Sequence, residues 1–485
     1  MIRLENFSYR YPGSEQFALQ EINLEIDEGE FILLNGPSGC GKTTLALALA
    51  GFLFSQFDGE FSGEVDVSGR NPGIEPIYDM ADLVGLVQQN PENQFCTLMV
   101  EDEIAFGLEN RQIPREQIES RLSWALDAVG SAHLRDRSLH SLSGGEKQKV
   151  ALAAILAAKP RMIIFDEPTS SLDPPATREI FEIILDLQQR ENLTVLVIEH
   201  KLDFIEQAQH RLITMSAGRI LDQQASHIHH PLEVTKPPVP YLGRPPILEV
   251  ENLTAGYPDK PVLKGLDLAL FPGELVSLLG DNGSGKSTLL LCLLKMHPLQ
   301  SGSIHFQGKH IQDLELPTLA REVGLVFQNP DHQLFAHSVW EEAILGPQNF
   351  QLEPAAYQDW TRSLLAQAGL DDRFDEHPYR LSYGEKRRLN LISILSYRPR
   401  LLLLDEIFIG QDQVNAAFMI SLLVDYVREG NTVLLVNHNP AYYPLFSTRL
   451  TFLRDGQLAV DAPLEAGLSG LEEMGAEAYL PGGRS

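Results

Sequence analysis

The sequence predicts an α/β protein made of two similar domains, and three observations lead to this expectation. The chain has 485 residues, which is more than a single hydrophobic core usually supports. Continuous apolar runs of strand length alternate with helical patterns, as in a parallel sheet that is covered on both faces. The pattern G-x-x-x-x-G-K-[ST] occurs twice and is followed each time by the same downstream residues, which indicates a duplication.

The apolar runs that predict core strands occupy matching places in the two halves. They span residues 30–34, 161–165, 194–198, 275–279, 401–404 and 432–436. Lys42 lies 244 residues before Lys286, and Asp166 lies 239 residues before Asp405. Offsets this similar along the whole chain indicate that the two halves share one fold.

Composition predicts the domain boundaries. We expect the first domain at residues 1–220 and the second at residues 247–462. Residues 221–246 are rich in proline and lack apolar periodicity, which is typical of an extended linker. Residues 463–485 are acidic with a weak helical pattern, and we expect a C-terminal tail there.

Charge and apolar content narrow the possible function. The chain has 38 Lys and Arg against 66 Asp and Glu, and a net charge of −28 disfavours nucleic acid as a partner. No apolar run approaches the roughly 20 residues that a membrane-spanning helix needs. The N-terminus lacks a signal-peptide pattern and the three cysteines form no disulfide framework, so we expect a cytoplasmic protein.

Each copy of the repeated pattern lies between a predicted strand and a predicted helix. In that order, backbone N–H groups and a helix N-terminus surround a phosphate chain, which predicts nucleotide binding in both halves. Lys42 and Lys286 would reach the β and γ phosphates, and Thr43 and Ser287 would ligate Mg²⁺. The residues of the two loops, each with the threonine that follows, are Gly36, Pro37, Ser38, Gly39, Cys40, Gly41, Lys42, Thr43 and Thr44, and Gly280, Asp281, Asn282, Gly283, Ser284, Gly285, Lys286, Ser287 and Thr288.

One loop residue carries a further expectation. Cys40 lies just before a predicted helix N-terminus, a position that favours the thiolate. We expect Cys40 to be the most reactive of the three cysteines.

Two acidic residues follow one another at the end of a predicted strand in each half. Asp166 and Asp405 would hold the water shell of Mg²⁺. Glu167 and Glu406 would orient or polarise the water that attacks the γ-phosphoryl group. The sequence therefore predicts nucleotide hydrolysis, with Glu167 and Glu406 as the acids.

A third repeated motif identifies a family. Residues 142–148 read LSGGEKQ and residues 381–387 read LSYGEKR, with Ser143 and Ser382 each 23 residues before the aspartate. These motifs resemble the signature of ATP-binding cassette ATPases, and the resemblance covers the chain apart from the linker and the tail. It implies, for each domain, a mainly parallel core sheet, an antiparallel β subdomain and a helical signature subdomain.

The resemblance also implies roles for single residues. Tyr11 and Tyr257 match the aromatic residue that stacks on adenine. Gln89 and Gln328 match the glutamine that senses Mg²⁺ and links to the membrane partner.

The histidines and the signature residues complete the implied site. His200 and His438 match the histidine that contacts the γ-phosphate. In this family two domains pair head to tail, so that the signature of one covers the ATP bound by the other, and we expect this pairing within one chain. The signature residues expected to donate hydrogen bonds to that ATP are Ser143, Gly144, Gly145, Ser382 and Gly384.

The second half departs from the family pattern. Tyr383 replaces the first signature glycine, and residues 409–412 read IGQD where Ser-x-Leu-Asp is expected. A tyrosine there could restrict the backbone or crowd the phosphate. With head-to-tail pairing, the Glu167 site would receive this altered turn and the Glu406 site the intact one, so we expect unequal sites.

A final resemblance concerns the branch of the family. Residues 89–110 and 328–349 resemble the Q-N-P-x-x-Q segment and following acidic helix of energy-coupling factor transporter ATPases, which serve the import of vitamins and transition metals. This implies a peripheral protein on the cytoplasmic face of the membrane. Its partners would be a T-type transmembrane subunit and a separate substrate-capture membrane protein. The alternatives are the tandem ATPase of a monosaccharide importer and a soluble tandem protein acting on ribosomes, the latter disfavoured by the charge of −28.

Overall fold

The structure, a computed structural model, describes residues 1–199, 210–222, 243–257 and 260–481. It divides into two compact units, Met1–His230 and Pro231–Ser485. Most of the predicted linker lies outside the described residues, so its extended form stays a prediction.

The first unit contains two sheets. Its strands are β1 (Ile2–Arg10), β2 (Leu19–Ile26), β3 (Phe31–Asn35), β4 (Glu60–Val67), β5 (Val84–Val87), β6 (Met162–Asp166), β7 (Thr194–Ile198), β8 (Arg211–Ser216) and β9 (Arg219–Asp222). The core sheet has the order β5-β6-β7-β3-β8-β9 and is parallel up to β8, with β9 antiparallel. A smaller antiparallel sheet has the order β2-β1-β4.

The helices of the first unit cover the core sheet and form a separate helical region. They are α1 (Lys42–Leu49), α2 (Phe52–Gln56), α3 (Ile77–Met80), α4 (Val100–Asn110), α5 (Arg115–Ala128), α6 (Gly144–Ala157) and α7 (Pro174–Glu191). Helix α6 packs against α4 and α5, and this group forms the helical subdomain that carries the signature.

The second unit repeats this architecture. Its strands are β10 (Leu248–Tyr257), β11 (Lys260–Leu270), β12 (Leu275–Gly280), β13 (Leu299–Phe306), β14 (Lys309–His310), β15 (Val323–Val326), β16 (Leu401–Asp405), β17 (Thr432–Val436), β18 (Arg449–Arg454) and β19 (Gln457–Pro463). The core sheet has the order β15-β16-β17-β12-β18-β19, and the antiparallel sheet has the order β11-β10-β13-β14.

The helices of the second unit also follow the pattern of the first. They are α8 (Lys286–Leu293), α9 (Leu316–Glu322), α10 (Val339–Asn349), α11 (Gln358–Gln367), α12 (Tyr383–Leu395), α13 (Gln413–Arg428), α14 (Tyr443–Phe446) and α15 (Leu464–Glu473). Helix α12 packs against α10 and α11. The predicted fold class is therefore confirmed, with core sheet, antiparallel sheet and helical subdomain present in each unit.

All six predicted core strands are present, each with bounds within one residue of the expectation. Their side chains are almost entirely buried, because helices cover both faces of a parallel sheet. In the register, Asp166 pairs with Ile198 and Asp405 pairs with Val436. The carboxyl ends of the central strands therefore lie side by side at one edge of each core sheet, where ligands bind in α/β folds.

The C-terminal segment differs from the expected tail. Helix α15 follows β19 directly, and Leu471, Ala476 and Tyr479 are buried in the same hydrophobic cluster as Leu450 and Phe452. Leucines spaced along one face of α15 explain this packing, because they give the helix an apolar side. Up to the last described residue, this segment is part of the second unit.

Candidate nucleotide sites

The first phosphate loop wraps around the side chain of Lys42, which bonds to carbonyl groups of the loop. Strand β3 leads into the loop and α1 begins at Lys42, whose Nζ donates hydrogen bonds to the carbonyls of Gly36 (2.7 Å) and Pro37 (3.0 Å). A Cβ at Gly36 would lie 2.2 Å from the Met215 carbonyl oxygen, and both Gly36 and Gly41 have positive φ. Glycine is therefore required for the chain to turn this tightly around the lysine.

The second phosphate loop has the same geometry. Lys286 at the start of α8 donates to the carbonyls of Gly280 and Asp281, both at 2.8 Å. The hydroxyl of Ser287 donates to Oδ2 of Asp405 at 2.8 Å, so the two predicted Mg²⁺ ligands are neighbours. Both predicted phosphate loops thus have the strand, loop and helix that the sequence indicated.

The two predicted acids share an unusual backbone conformation. Glu167 and Glu406 have φ of 49° and 51°, in the left-handed region that non-glycine residues rarely adopt. Such a conformation costs about 1–3 kcal/mol and is often found at functional sites. The N–H of Glu167 donates to Ile198 (2.9 Å) and that of Glu406 to Val436 (3.1 Å), so the neighbouring strand helps to hold each acid.

Each predicted glutamine contacts the acid of its own unit. Gln89 Nε2 donates to Glu167 Oε2 at 3.0 Å, and Gln328 Nε2 donates to Glu406 Oε2 at 2.9 Å. The sequence separates these partners by 78 residues in both halves. The structure therefore joins two residues in each half that the sequence linked only through the family resemblance.

The histidines can be compared in one unit only. His438 Nε2 lies 2.7 Å from Glu406 Oε1, and both side chains are buried. His200 lies outside the described residues, so its predicted contact with the γ-phosphate stays a prediction.

Burial and neighbouring charges act differently on the two acids of the second unit. Burial raises the pKa of Asp405 to about 6, and the neighbouring Glu406 adds to this increase. Burial also acts to raise the pKa of Glu406, but His438, Lys286 and Arg387 outweigh it and lower that pKa to about 2. The glutamate therefore stays ionised, and a divalent cation beside Asp405 would favour the ionised form of the aspartate as well.

The residues present in the second unit fit a magnesium nucleotide. The buried Ser284 Oγ and His438 Nδ1 have no hydrogen-bond partner among the described residues, as expected of groups that await a ligand. A hydroxyl, a carboxylate and a glutamine amide, from Ser287, Asp405 and Gln328, are the oxygen ligands that Mg²⁺ prefers. The first unit offers the same types of residue in Thr43, Asp166 and Gln89.

The two predicted adenine-stacking residues have different surroundings. The hydroxyl of Tyr11 lies 3.3 Å from Thr44 Oγ1, and the ring of Phe57 meets the Tyr11 ring edge-on at 5.4 Å. Tyr257 is 70% exposed. Stacking on adenine stays a prediction for both, and Tyr257 has the more accessible ring.

The two signature turns are equally well capped. Ser143 and Glu146 exchange hydrogen bonds in a capping box at the start of α6. Ser382 and Glu385 do the same at the start of α12. Tyr383 does not distort the turn, because neither it nor Gly144 has a positive φ. The expected backbone restriction at Tyr383 is therefore absent.

The expectation for the cysteines needs correction. Cys40 is buried in the first phosphate loop, whereas Cys96 is exposed. Position before a helix N-terminus favours a thiolate, but a reagent must also reach the sulfur. Cys96 is therefore the most accessible thiol.

The sequence did not reveal two buried polar groups near these sites. Thr169 donates to the buried Glu199 at 2.6 Å in the first unit, and Arg387 is almost completely buried in the second. An alignment of the two halves could have pointed to them, since Asn437 occupies the position equivalent to Glu199, and Gln148 the position equivalent to Arg387.

Comparison with known proteins identifies the family. The family model described as ABC transporter matches residues 19–170 and 263–408, one match in each unit. The chain belongs to the ABC transporter family. ABC ATPase domains bind ATP with Mg²⁺ and hydrolyse it, so the chain is an ATPase.

Two relatives match this ABC ATPase over nearly its whole length. A protein of Methanosarcina mazei, provisionally named an ABC transporter ATP-binding protein, is 33% identical over 542 residues, which cover 99% of this chain and 92% of that protein. YkoD of Bacillus subtilis, provisionally named an HMP/thiamine import ATP-binding protein, is 35% identical over 502 residues, which cover 95% of this chain and 91% of YkoD.

One solved structure is similar to part of this ABC ATPase. CbiO1 from Clostridium perfringens, described as part of the ABC transporter complex cbiONQ, is 29% identical with a TM-score of 0.42. The match covers 48% of this chain and 93% of that chain. Among the described residues of this ABC ATPase, no helix is both long and apolar enough to cross a membrane.

Proposed function

We propose that this chain is the ATP-hydrolysing motor of a membrane importer of the energy-coupling factor type, bound peripherally to the cytoplasmic face of the membrane. The observation that carries this proposal is the loop after each predicted Mg²⁺-sensing glutamine. In both units the first glutamine of this loop contacts the acid of the nucleotide site, the loop carries an exposed apolar side chain, and hydrogen bonds anchor the loop at two points.

The Q-N-P-x-x-Q residues anchor the start of this loop. In the first unit, the side chain of Gln94 accepts from the N–H of Gln88 (3.1 Å) and donates to the carbonyl of Leu86 (2.9 Å). Gln333 accepts from the N–H of Phe327 (2.9 Å) in the second unit. The second glutamine of the motif thus fastens the loop to the strand before it.

A buried acid on the following helix anchors the far end. Glu103 of α4 accepts from the N–H groups of Cys96 and Thr97, both at 2.9 Å. Glu342 of α10 accepts from the N–H groups of Phe335 and Ala336, both at 2.8 Å. Burial raises the pKa of Glu342, and the two N–H groups oppose that change. A loop held at both ends can transmit movement of the acid to its outer surface.

The outer surface of the loop is apolar. Leu98 is 65% exposed in the first unit and Phe335 is 73% exposed in the second. Single exposed apolar residues are common on protein surfaces, so the placement of Leu98 and Phe335 on the same anchored loop of both units is what supports an interface here. Helices of a T-type transmembrane subunit are the partner that the family resemblance implies here, and a separate membrane protein would capture the substrate. The provisional name of YkoD, an HMP/thiamine import ATP-binding protein, supports HMP or thiamine as the transported compound.

We assign the site residues the roles that the motifs predict. Glu167 and Glu406 orient the attacking water, His200 and His438 contact the γ-phosphate, and the phosphate-loop lysines hold the β and γ phosphates. The proposed Mg²⁺ ligands are Thr43, Gln89, Asp166, Ser287, Gln328 and Asp405. Following the family resemblance, we also propose that the two domains of one chain pair head to tail when both bind ATP.

Affinity purification from detergent-solubilised membranes of the native cell tests the proposed partners. We expect a multi-span membrane protein in stoichiometric amount, together with a small substrate-capture membrane protein. Recovery of an extracellular sugar-binding protein would favour the monosaccharide importer. Recovery of ribosomal subunits without a membrane protein would contradict both importer hypotheses.

Substitution on the outer surface of the loop tests the docking surface. Phe335→Glu should abolish recovery of the membrane subunit while ATP binding is retained. Leu316→Glu is the matched control, because Leu316 is also exposed, at 54%, and belongs to α9 of the second unit rather than to this loop. Equal recovery with both variants would contradict the proposed surface.

A further inference from the structure

An arginine behind the second nucleotide site is almost completely buried. Arg387 lies in the second turn of α12 and is 1% exposed, which makes it the largest fully buried side chain among the described residues. No carboxylate of the described residues forms an ion pair with it. A buried cation is costly unless it is hydrogen-bonded, so the groups that accept from Arg387 are the informative feature.

The guanidinium donates to the main chain of two site residues. One terminal nitrogen, Nη1, donates to the carbonyl of Glu406, and Nη2 donates to the carbonyl of Gln328. Those residues provide the proposed acid and the glutamine that contacts it. The planar guanidinium has donors in a fixed fork, so it sets the distance between the two carbonyls as well as holding each of them.

The hydroxyl of Tyr383 is the third partner of this arginine. Nη2 of Arg387 donates to Tyr383 Oη at 2.8 Å, and the guanidinium carbon lies 4.9 Å from the centre of the tyrosine ring. The residue that departs from the signature pattern therefore helps to orient Arg387. Tyr383 and Arg387 lie four residues apart, on one face of α12.

The first unit lacks both side chains. Gly144 occupies the position equivalent to Tyr383, and Gln148 the position equivalent to Arg387. Gln148 is also buried, at 2% exposure, but its Nε2 has no hydrogen-bond partner among the described residues. In the first unit, a glutamine without such a hydrogen bond therefore takes the position that Arg387 has in the second unit.

We propose that Arg387 is a positioning residue of the second nucleotide site, where it fixes the main chain of Gln328 and Glu406 with Tyr383 as its orienting partner. This inference rests on the proposed role of Glu406 as the acid that orients water. Glu406 has a left-handed backbone conformation, so a hydrogen bond to its carbonyl helps to keep its carboxylate in place. Tyr383 and Arg387 then form a pair that replaces the glycine and glutamine of the first unit.

Substitutions at Arg387 test the proposal in the full-length chain. Arg387→Gln introduces the residue of the first unit, and Arg387→Lys keeps the charge without the fork. Arg321→Lys is the matched control in the second unit, because Arg321 also donates to a main-chain carbonyl, that of Tyr397 at 2.6 Å, which is not a site residue. Measurements are kcat and KM for MgATP, the thermal midpoint, and amide exchange of the peptide that contains Glu406.

Loss of a supporting hydrogen bond behind a site typically costs 10-fold or more in activity, so we expect Arg387→Gln to lower kcat about tenfold. KM should stay within about twofold, because the substrate itself loses no contact. Arg387→Lys should be intermediate, and Arg321→Lys should keep kcat within about twofold. Amide exchange at Glu406 should become faster in Arg387→Gln with a similar thermal midpoint.

Two results would overturn the proposal. The first is unchanged kcat in both Arg387 variants while Glu406→Gln loses most turnover. The second is unchanged amide exchange at Glu406 in Arg387→Gln. If Glu406→Gln keeps its turnover, the assigned role of Glu406 fails instead, and amide exchange still decides whether Arg387 holds this backbone. If Arg387→Gln unfolds, the kcat and amide exchange of Arg387→Lys decide.

Discussion

The two units have the same core architecture but differ in the contact between the signature helix and the loop after the proposed catalytic acid. In the first unit the buried apolar Leu172 lies here, with a side-chain carbon 3.7 Å from the place that a Cβ on Gly144 would take. In the second unit, Gln411 replaces Leu172 and donates to the carbonyl of Gly384 at 2.9 Å. Arg388 in turn donates to Gln411 at 3.2 Å. The second unit has therefore exchanged apolar packing for a buried hydrogen-bond network.

At a second place near the site, the buried polar pair belongs to the first unit instead. The first unit has a buried polar pair, Thr169 and Glu199, next to its acids, whereas the second unit has Phe408 and Asn437 at these places. Both differences lie near the nucleotide sites, whereas the strand order of the core sheet is the same in the two units. A duplicated site can diverge by exchange of the residues behind it while the motif residues are kept.

The largest effect that we expect is a difference in alkylation rate among the cysteines of the two units. Burial raises the pKa of Cys292 to about 12, while Cys96 is exposed, so alkylation of Cys96 should be about a thousandfold faster. Cys40, buried in the first phosphate loop, should react slowly, and MgATP should slow it further. Mass spectrometry of peptides after timed alkylation measures all three rates. Labelling of Cys40 before Cys96, or without any effect of MgATP, would be inconsistent with the loop as described.

The polar pair of the first unit should matter for stability. Thr169→Val removes a hydrogen bond to the buried Glu199, and bonds to charged groups contribute about 1.5–3 kcal/mol. We expect a lower midpoint of unfolding in urea, measured by circular dichroism. Ser170→Ala is the control, because among the described residues the Ser170 hydroxyl has no hydrogen-bond partner. If both variants unfold at the same urea concentration, the pair does not stabilise the first unit.

The C-terminal segment should have a smaller effect on the second unit. Tyr479 donates from its hydroxyl to Asp281 Oδ1 of the second phosphate loop at 2.9 Å. Tyr479→Phe removes this bond, and we expect a loss of about 0.5–1.5 kcal/mol because water can reach the partly exposed Asp281.

Calorimetry with and without MgATP measures this loss and the nucleotide-dependent part of the stability. The Tyr479→Phe variant keeps the packed ring, so a loss much larger than this would mean that the segment unfolds rather than loses one bond. No change in either quantity would mean that Tyr479 does not support the loop.

Much of the fold and of the motif chemistry could be predicted from the sequence. Buried parallel strands appear as continuous apolar runs, so all six core strands were found to within one residue. The glycines and lysines of the phosphate loops have fixed spacing, because the loop closes within a few residues around its own lysine. Because the residues that set this geometry are close together in the sequence, a motif is enough to recognise it.

The rest depends on contacts between distant parts of the chain. An arginine in a helix normally indicates a solvated face, so the burial of Arg387 could not be inferred from its own surroundings in the sequence. Its partners Gln328 and Glu406 are 59 and 19 residues away. The hydroxyl of Tyr479 likewise bonds to Asp281, which is 198 residues away. The place of His200 lies outside the described residues.

Steady-state MgATP hydrolysis by the full-length chain with Glu167→Gln or Glu406→Gln tests the central claim, that the two sites are unequal, most directly. Arg387 and His438 hold Glu406, and the proposed pairing gives its site the intact signature of the first unit. Glu406→Gln should therefore abolish most turnover, while Glu167→Gln should retain a clearly larger fraction. A greater loss with Glu167→Gln, or the same loss with both variants, would contradict the account.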